Sequence, residues 1–264
     1  MRYHKLFVSL ITACYITATA SAENTVKVFV LAGQSNMVGK AQNKLLEYQA
    51  IQDSTKKHYA PYRNEGQWVV RDDVWINYLK RHGGLTIGYG SPKRTGPELA
   101  FGTAMGEHYS EPVLLIKTAW GGHSLYQKFR SPSAGLPDEA LLNKELEKAI
   151  VRVKRNNETR KRTDPLPTME NIKSAYGGSY RMMLSEVSST LENYESLFPA
   201  LKGKKIEIAG FVWFQGWNDQ YNGAENEYAS NMKHFIKDVR KDFNSPKLPF
   251  VIGVMGQNGS SPSK

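Results

Sequence analysis

Hydrophobic residues along this 264-residue chain fall into two patterns. Four short runs are apolar almost without interruption: residues 26–32, Val113–Ala119, 206–214 and 249–255. Near-continuous apolar runs of this length predict central parallel strands covered on both faces. Between them, apolar positions recur at helical spacing. Leu142, Leu146, Ile150 and Val153 share one face, as do Met183, Val187, Leu191 and Tyr194, and later Met232, Phe235, Ile236 and Val239. Pro97-Glu98 opens a further helix through Leu99 and Phe101 to about His108. Strands alternating with helices predict an α/β fold, a doubly wound parallel sheet in one domain. Residues 42–95 and 160–180 break the pattern. The first stretch is aromatic, Gly-rich and poorly periodic, and the second carries Pro165, Pro167 and Gly177-Gly178. Both are expected as long loops that shape a cleft. No internal repeat is visible, nor a linker long enough to divide the chain.

Each predicted strand ends in a small or polar cluster. These are Gly33-Gln34-Ser35-Asn36, Trp120-Gly121-Gly122-His123-Ser124, Gln215-Gly216-Trp217-Asn218-Asp219 and Gly256-Gln257-Asn258-Gly259. In an open parallel sheet the C-terminal strand edges line one crevice, so the clusters are expected to converge. At the first, a strand hands over to a helix whose leading N–H groups point outward and favour negative charge. An ester-cleaving serine needs that setting, because the oxyanion formed during attack must meet preset donors. A capped tight turn is the plainer reading of four residues alone. Three further clusters turn the balance toward a site. A nucleotide loop is rejected: five residues separate Gly33 from Gly39, one more than that motif has, and Ala41 stands in place of its Ser/Thr.

Composition narrows the setting. Met1-Arg2-Tyr3-His4-Lys5, an apolar stretch to about Thr19 and Ala20-Ser21-Ala22 read as a signal peptide over residues 1–22, cleaved before Glu23. The expected product, residues 23–264, is secreted or periplasmic. Ile11-Thr12-Ala13-Cys14 also fits a lipoprotein signal cleaved before Cys14, the weaker alternative because Ala-Ser-Ala follows a longer apolar stretch. No later segment approaches an integral membrane span. Cys14 is the only cysteine, so on the preferred reading the exported product has no disulfide, thiol nucleophile or thiolate metal site. The net charge of +10 falls to +8 once Arg2 and Lys5 leave. Much of the excess lies at Lys154-Arg155 and Arg160-Lys161-Arg162, read as a solvated helix end. No nucleic-acid motif accompanies it.

Gly-Gln-Ser-Asn-Met, Gly96-Pro97-Glu98 with Phe101-Gly102, Lys117-Thr118-Ala119-Trp120-Gly121-Gly122 and Trp213-Phe214-Gln215-Gly216 together resemble the sialate O-acetylesterase family. That family is related to acetylxylan esterases and belongs to the SGNH hydrolases. The resemblance covers most of residues 25–257. It implies a flavodoxin-like three-layer α/β/α fold and removal of O-acetyl groups from carbohydrates, with no metal or cofactor. It also implies Ser35 as nucleophile, with an oxyanion hole from the N–H of Ser35, the N–H of Gly121 or Gly122, and the Gln215 side chain. Gln34 and Asn36 flank the serine as candidate substrate-site residues, Asn36 chiefly by fixing the turn. Trp120 and Trp217 are candidates for stacking on sugar rings or for core packing.

The general base is where the chain departs from the family pattern. The family's Asp-x-x-His follows the last strand, and the chain shows none before Lys264, so a truncated C-terminus is expected. His4 lies in the signal, His108 and His234 in predicted helices, His58 and His82 in the irregular stretch. His123, at a strand end, is a candidate substrate contact before it is a base. Asn218 and Asp219 read as supporting residues, with Asp219 a weak candidate for the triad acid. Two other functions stay open: a non-catalytic glycan-binding protein that has lost its base, and a lipase-like esterase of the same broad fold.

Overall fold

Strands form where the apolar pattern is densest. The computed structural model describes residues 24–256. The expected signal segment, with His4 and Cys14, and the Gln257-Asn258-Gly259 cluster lie outside the described residues. Among the described residues, ten strands run in chain order: β1 (Thr25–Gly33), β2 (Ala41–Gln42), β3 (Arg63–Asn64), β4 (Gln67–Trp68), β5 (Val74–Tyr78), β6 (Arg81–Gly84), β7 (Arg94–Thr95), β8 (Val113–Ala119), β9 (Lys205–Phe214) and β10 (Phe250–Ile252). The α-helices are α1 (Ser35–Val38), α2 (Asn43–Gln49), α3 (Lys56–Tyr59), α4 (Glu98–His108), α5 (Glu139–Arg160), α6 (Met169–Ala175), α7 (Gly178–Leu197) and α8 (Ala224–Asp242). Contacts group the chain into two compact units. Among the described residues, one comprises residues 24–121, Ser185–Gln215 and Lys247–Val254; the other comprises Gly122–Leu184, Gly216–Pro246 and residues 255–256.

The first unit carries a six-stranded sheet in the order β10-β9-β1-β8-β5-β6. Every neighbouring pair is parallel except β5 with the edge strand β6. All seven residues of β8 are buried, as two covered faces require. On one face α4 lays Phe101 edge-on against Phe29 of β1, with centroids 5.3 Å apart. On the other, Asn77 of β5 donates from Nδ2 to Thr190 Oγ1 of α7 at 2.6 Å. The result is a three-layer α/β/α arrangement around a mostly parallel sheet.

Two expectations need correcting. Residues 42–95 are not one irregular loop: they contain α2, α3 and the strands β5 and β6 of the main sheet. Val74-Trp75-Ile76 is a β-rich run, but charged Arg71-Asp72-Asp73 and Lys80-Arg81 crowd it on both sides and shorten the apolar signal to a few residues. His58 and His82 accordingly sit in α3 and β6, with the His82 ring edge-on to Phe198. Residues 160–180 likewise contain α6, whose Thr168 and Asn171 form a capping box. The fourth strand is three residues long, shorter than the apolar run 249–255.

The second unit is built on α5, α6, the first residues of α7 and α8. Phe235 of α8 meets Phe129 and Tyr180 edge-on, at 6.3 and 5.6 Å between centroids. Asp138 caps α5 by accepting from Leu141 N at 2.8 Å. That helix ends in left-handed Lys161 at φ 48°, with Arg160, Lys161 and Arg162 exposed and Arg162 paired to Asp164 at 3.0 Å. Cations at a helix C-terminus complement its dipole. Among the described residues no helix is long and apolar enough to cross a membrane.

Candidate functional site

Register aligns three strand ends in the first unit. Gly33 of β1 stands beside Ala119 of β8 and Phe214 of β9. The residues that follow, Gln34-Ser35, Trp120-Gly121 and Gln215, therefore leave the sheet from neighbouring strands about 4.8 Å apart. Gln34 N donates to Phe214 O at 3.2 Å and Trp120 N to Gly33 O at 3.1 Å, which extends the ladder one residue beyond the strands. Gly33 adopts φ 151°, and a Cβ there would collide with the Phe214 carbonyl. Only glycine lets β1 and β9 approach so closely at this edge.

Ser35 is half-buried at the head of α1, Asn36 is exposed, and Met37 and Val38 are buried beneath them. The first N–H groups of any α-helix lack an intrahelical acceptor and face outward. Gln34 is fully buried and accepts at Oε1 from Gln215 Nε2 at 3.2 Å. The two amides thus tie the β1 and β9 ends together. Trp120 is half-buried and Gly121 exposed.

Beneath this turn lies a charged cluster whose members stand inside the sequence motifs without a role evident from the sequence. Lys117 of β8 and Glu98 of α4 form an ion pair at 2.5 Å with both side chains fully buried. Lys117 Nζ also donates to Val38 O and Tyr89 O, each at 2.9 Å, and sits 4.7 Å from the Tyr78 ring centroid. Glu98 Oε1 accepts from Gly96 N at 2.8 Å. Burial pulls Lys117 below its ordinary pKa although Glu98 pushes it back up. Burial pushes the Tyr78 phenol up to about 12, and its hydroxyl donates to Ala119 O at 3.0 Å. A lysine inside an apolar strand is the signal that marks this cluster, since a buried ammonium needs partners.

The second unit holds the other predicted residues. Gly122 turns with φ 79°, and its carbonyl accepts from Asn218 Nδ2 at 3.0 Å. Asp219 is buried and accepts from Leu125 N at 2.9 Å and Tyr126 N at 2.7 Å, one on each carboxylate oxygen. Its carboxylate therefore fastens the turn that follows Gly122. Trp217, on a short 3₁₀ turn with them, is 48% exposed. His123 is half-buried, with Nδ1 at 2.7 Å from Ser179 Oγ, and burial together with Lys128 lowers its pKa. His234 contacts Ser133 Oγ through Nδ1 at 2.9 Å.

Comparison with known proteins places this geometry in context. A family model described as carbohydrate esterase, sialic acid-specific acetylesterase, matches residues 25–264. No curated protein matches. Among solved structures, a protein from Arabidopsis thaliana is 17% identical with a TM-score of 0.47, over 90% of this chain and 76% of its own. A carbohydrate acetylesterase from Xanthomonas citri is 14% identical with a TM-score of 0.40, over 86% of this chain and 41% of its own. NanS is 11% identical with a TM-score of 0.47, over 88% of this chain and 68% of its own.

Proposed function

Since the chain belongs to the sialic acid-specific acetylesterase family of carbohydrate esterases, we propose that it hydrolyses O-acetyl esters on sugars with Ser35 as nucleophile. The observation that carries this reading is the shared register of Gly33, Ala119 and Phe214. Ser35 and Gly121 each follow their strand end by two residues, and Gln215 follows its own by one. In this reading Ser35 Oγ attacks the acetyl carbonyl carbon while a general base takes its proton. The family pattern places that base in an Asp-x-x-His segment after the last strand. The oxyanion is met by the N–H groups of Ser35 and Gly121 and by the Gln215 amide. The sugar leaves as its alcohol, and water then releases acetate from the acetyl-serine.

The chemistry needs no metal, because the charge that develops sits on one oxygen among neutral donors. Substrate would be held from exposed Asn36 and half-buried Trp120. Acetylated sialic acid is the first substrate to test. The full-length protein is expected to release acetate from it, and Ser35→Ala to abolish release while still binding the sugar. Undiminished release by Ser35→Ala would remove the proposed nucleophile. Binding of the sugar with no release by the unmutated protein would replace the esterase with a glycan-binding role.

A further inference from the structure

The helix that presents Ser35 is four residues long, too short to hold its own shape, because nucleating a turn fixes several dihedrals for a single hydrogen bond. Its internal ties are Val38 N to Gln34 O at 2.8 Å and Gly39 N to Ser35 O at 3.1 Å. The turn must therefore be located from outside. Three things do so. Met37 and Val38 are buried in the core. Gly39, at φ 93°, packs so closely on Gly96 that a Cβ would overlap its backbone. The third is Lys117, which donates to Val38 O, the carbonyl of the last residue of the turn.

An ammonium has three N–H donors, and the acceptors around Lys117 Nζ are three: Glu98 Oε2, Val38 O and Tyr89 O. Glu98 is fixed in turn, since its other oxygen accepts from Gly96 N, the residue on which Gly39 packs. One cluster thus clamps the exit of the Ser35 turn from two sides, through the Val38 carbonyl and through Gly96. Buried ion pairs are a poor source of stability, because desolvating both charges consumes most of their attraction. What this pair supplies that an apolar pair would not is a directed bond to one carbonyl.

We propose that Lys117, held by Glu98, is a positioning residue that fixes the Ser35 turn through the Val38 carbonyl, an inference that rests on Ser35 being the nucleophile. Lys117 touches neither substrate nor the reacting atoms. It sets where the Ser35 hydroxyl and N–H stand relative to the bound ester. Displacement of a reacting group by about 1 Å can cost on the order of a hundredfold in rate.

The test is made on the full-length protein with two variants. Glu98→Leu with Lys117→Met replaces the pair by apolar groups of similar volume, which buried sites generally tolerate. Glu98→Gln alone retains an acceptor for Gly96 N and loosens the hold on the ammonium. Each is followed by kcat and KM for 4-nitrophenyl acetate and by the rate at which a fluorophosphonate labels Ser35, with circular dichroism to verify folding. The pair replacement is expected to lower kcat and the labelling rate together by at least about tenfold, with KM held within about twofold. Glu98→Gln should show the same split to a smaller degree, and it carries the test alone if the pair replacement does not fold. A folded variant labelled at the unmutated rate, or one whose loss lies in KM alone, overturns the positioning role. Label found in the unmutated protein on a residue other than Ser35 overturns the nucleophile assignment, and this inference with it.

Discussion

Lys117 is the residue whose chemistry is least expected from its surroundings, a charge in a strand where every position is buried. Its neighbour Tyr78 shows how the same burial becomes measurable. Ordinary tyrosine ionises near pH 10, while burial holds Tyr78 at about 12. Between those values the unfolded chain loses a proton that the folded chain keeps, so this tyrosine's stabilising contribution, complete below about pH 10, is lost as pH rises. Tyr78→Phe removes that dependence. It also removes the hydrogen bond to Ala119 O, at a cost of about 1 kcal/mol at neutral pH. Denaturant midpoints of the two proteins are therefore expected to differ at pH 7 and to converge toward about pH 11. A constant difference across that range would show that Tyr78 ionises as freely folded as unfolded. At this scale the sequence marked Ser35, Gln215 and the glycines around them by residue type and place. It left Lys117 and Glu98 without a role, because their pairing joins residues 19 positions apart on a strand and a helix.

Elements were legible in proportion to how long and how regular their apolar pattern is. The helix from Glu98 to His108 and the strand from Val113 to Ala119 begin and end where the sequence places them. β5 and β6 were hidden because their runs are short and edged with charge, and because their place in the sheet is set by pairing rather than by pattern. Asn77 makes the point. A polar residue inside a strand lowers its apolar signal, yet here its amide joins β5 to α7 through Thr190, whose hydroxyl donates onward to Glu186 O at 2.7 Å. Thr190→Val keeps the volume and leaves the buried Asn77 amide without that acceptor, which should cost about 1–3 kcal/mol. Urea unfolding monitored by circular dichroism reads it. A loss below about 0.3 kcal/mol would mean that the cross-layer bond is not holding β5 to the helix layer.

At the scale of the whole molecule, the chain belongs to a carbohydrate esterase family and carries a mostly parallel six-stranded sheet, with Ser35 two residues beyond the end of β1. The sequence reached the fold class because alternation of strand and helix is a property of the entire chain. It reached the strand ends at Gly33, Ala119 and Phe214 because a parallel sheet sends every C-terminal edge the same way, while the fourth cluster lies outside the described residues. The register that sets Gly33 level with Ala119 and Phe214 was beyond it, since that depends on which strands become neighbours. The basic run at Arg160 to Arg162 resolves into an exposed helix end with one surface ion pair, a feature of small energetic weight.

The central claim is that Ser35 carries the acetyl group in transit. It is tested most directly by mixing the full-length protein with an acetylated sugar, quenching in acid within the first turnovers and mapping tryptic peptides by mass. Residues 28–40 form one such peptide, and Ser35 is its only hydroxyl residue. The expected result is an acetylated form of that peptide in the unmutated protein and none in Ser35→Ala. Acetate release with the acetyl group trapped on a different peptide would contradict the account.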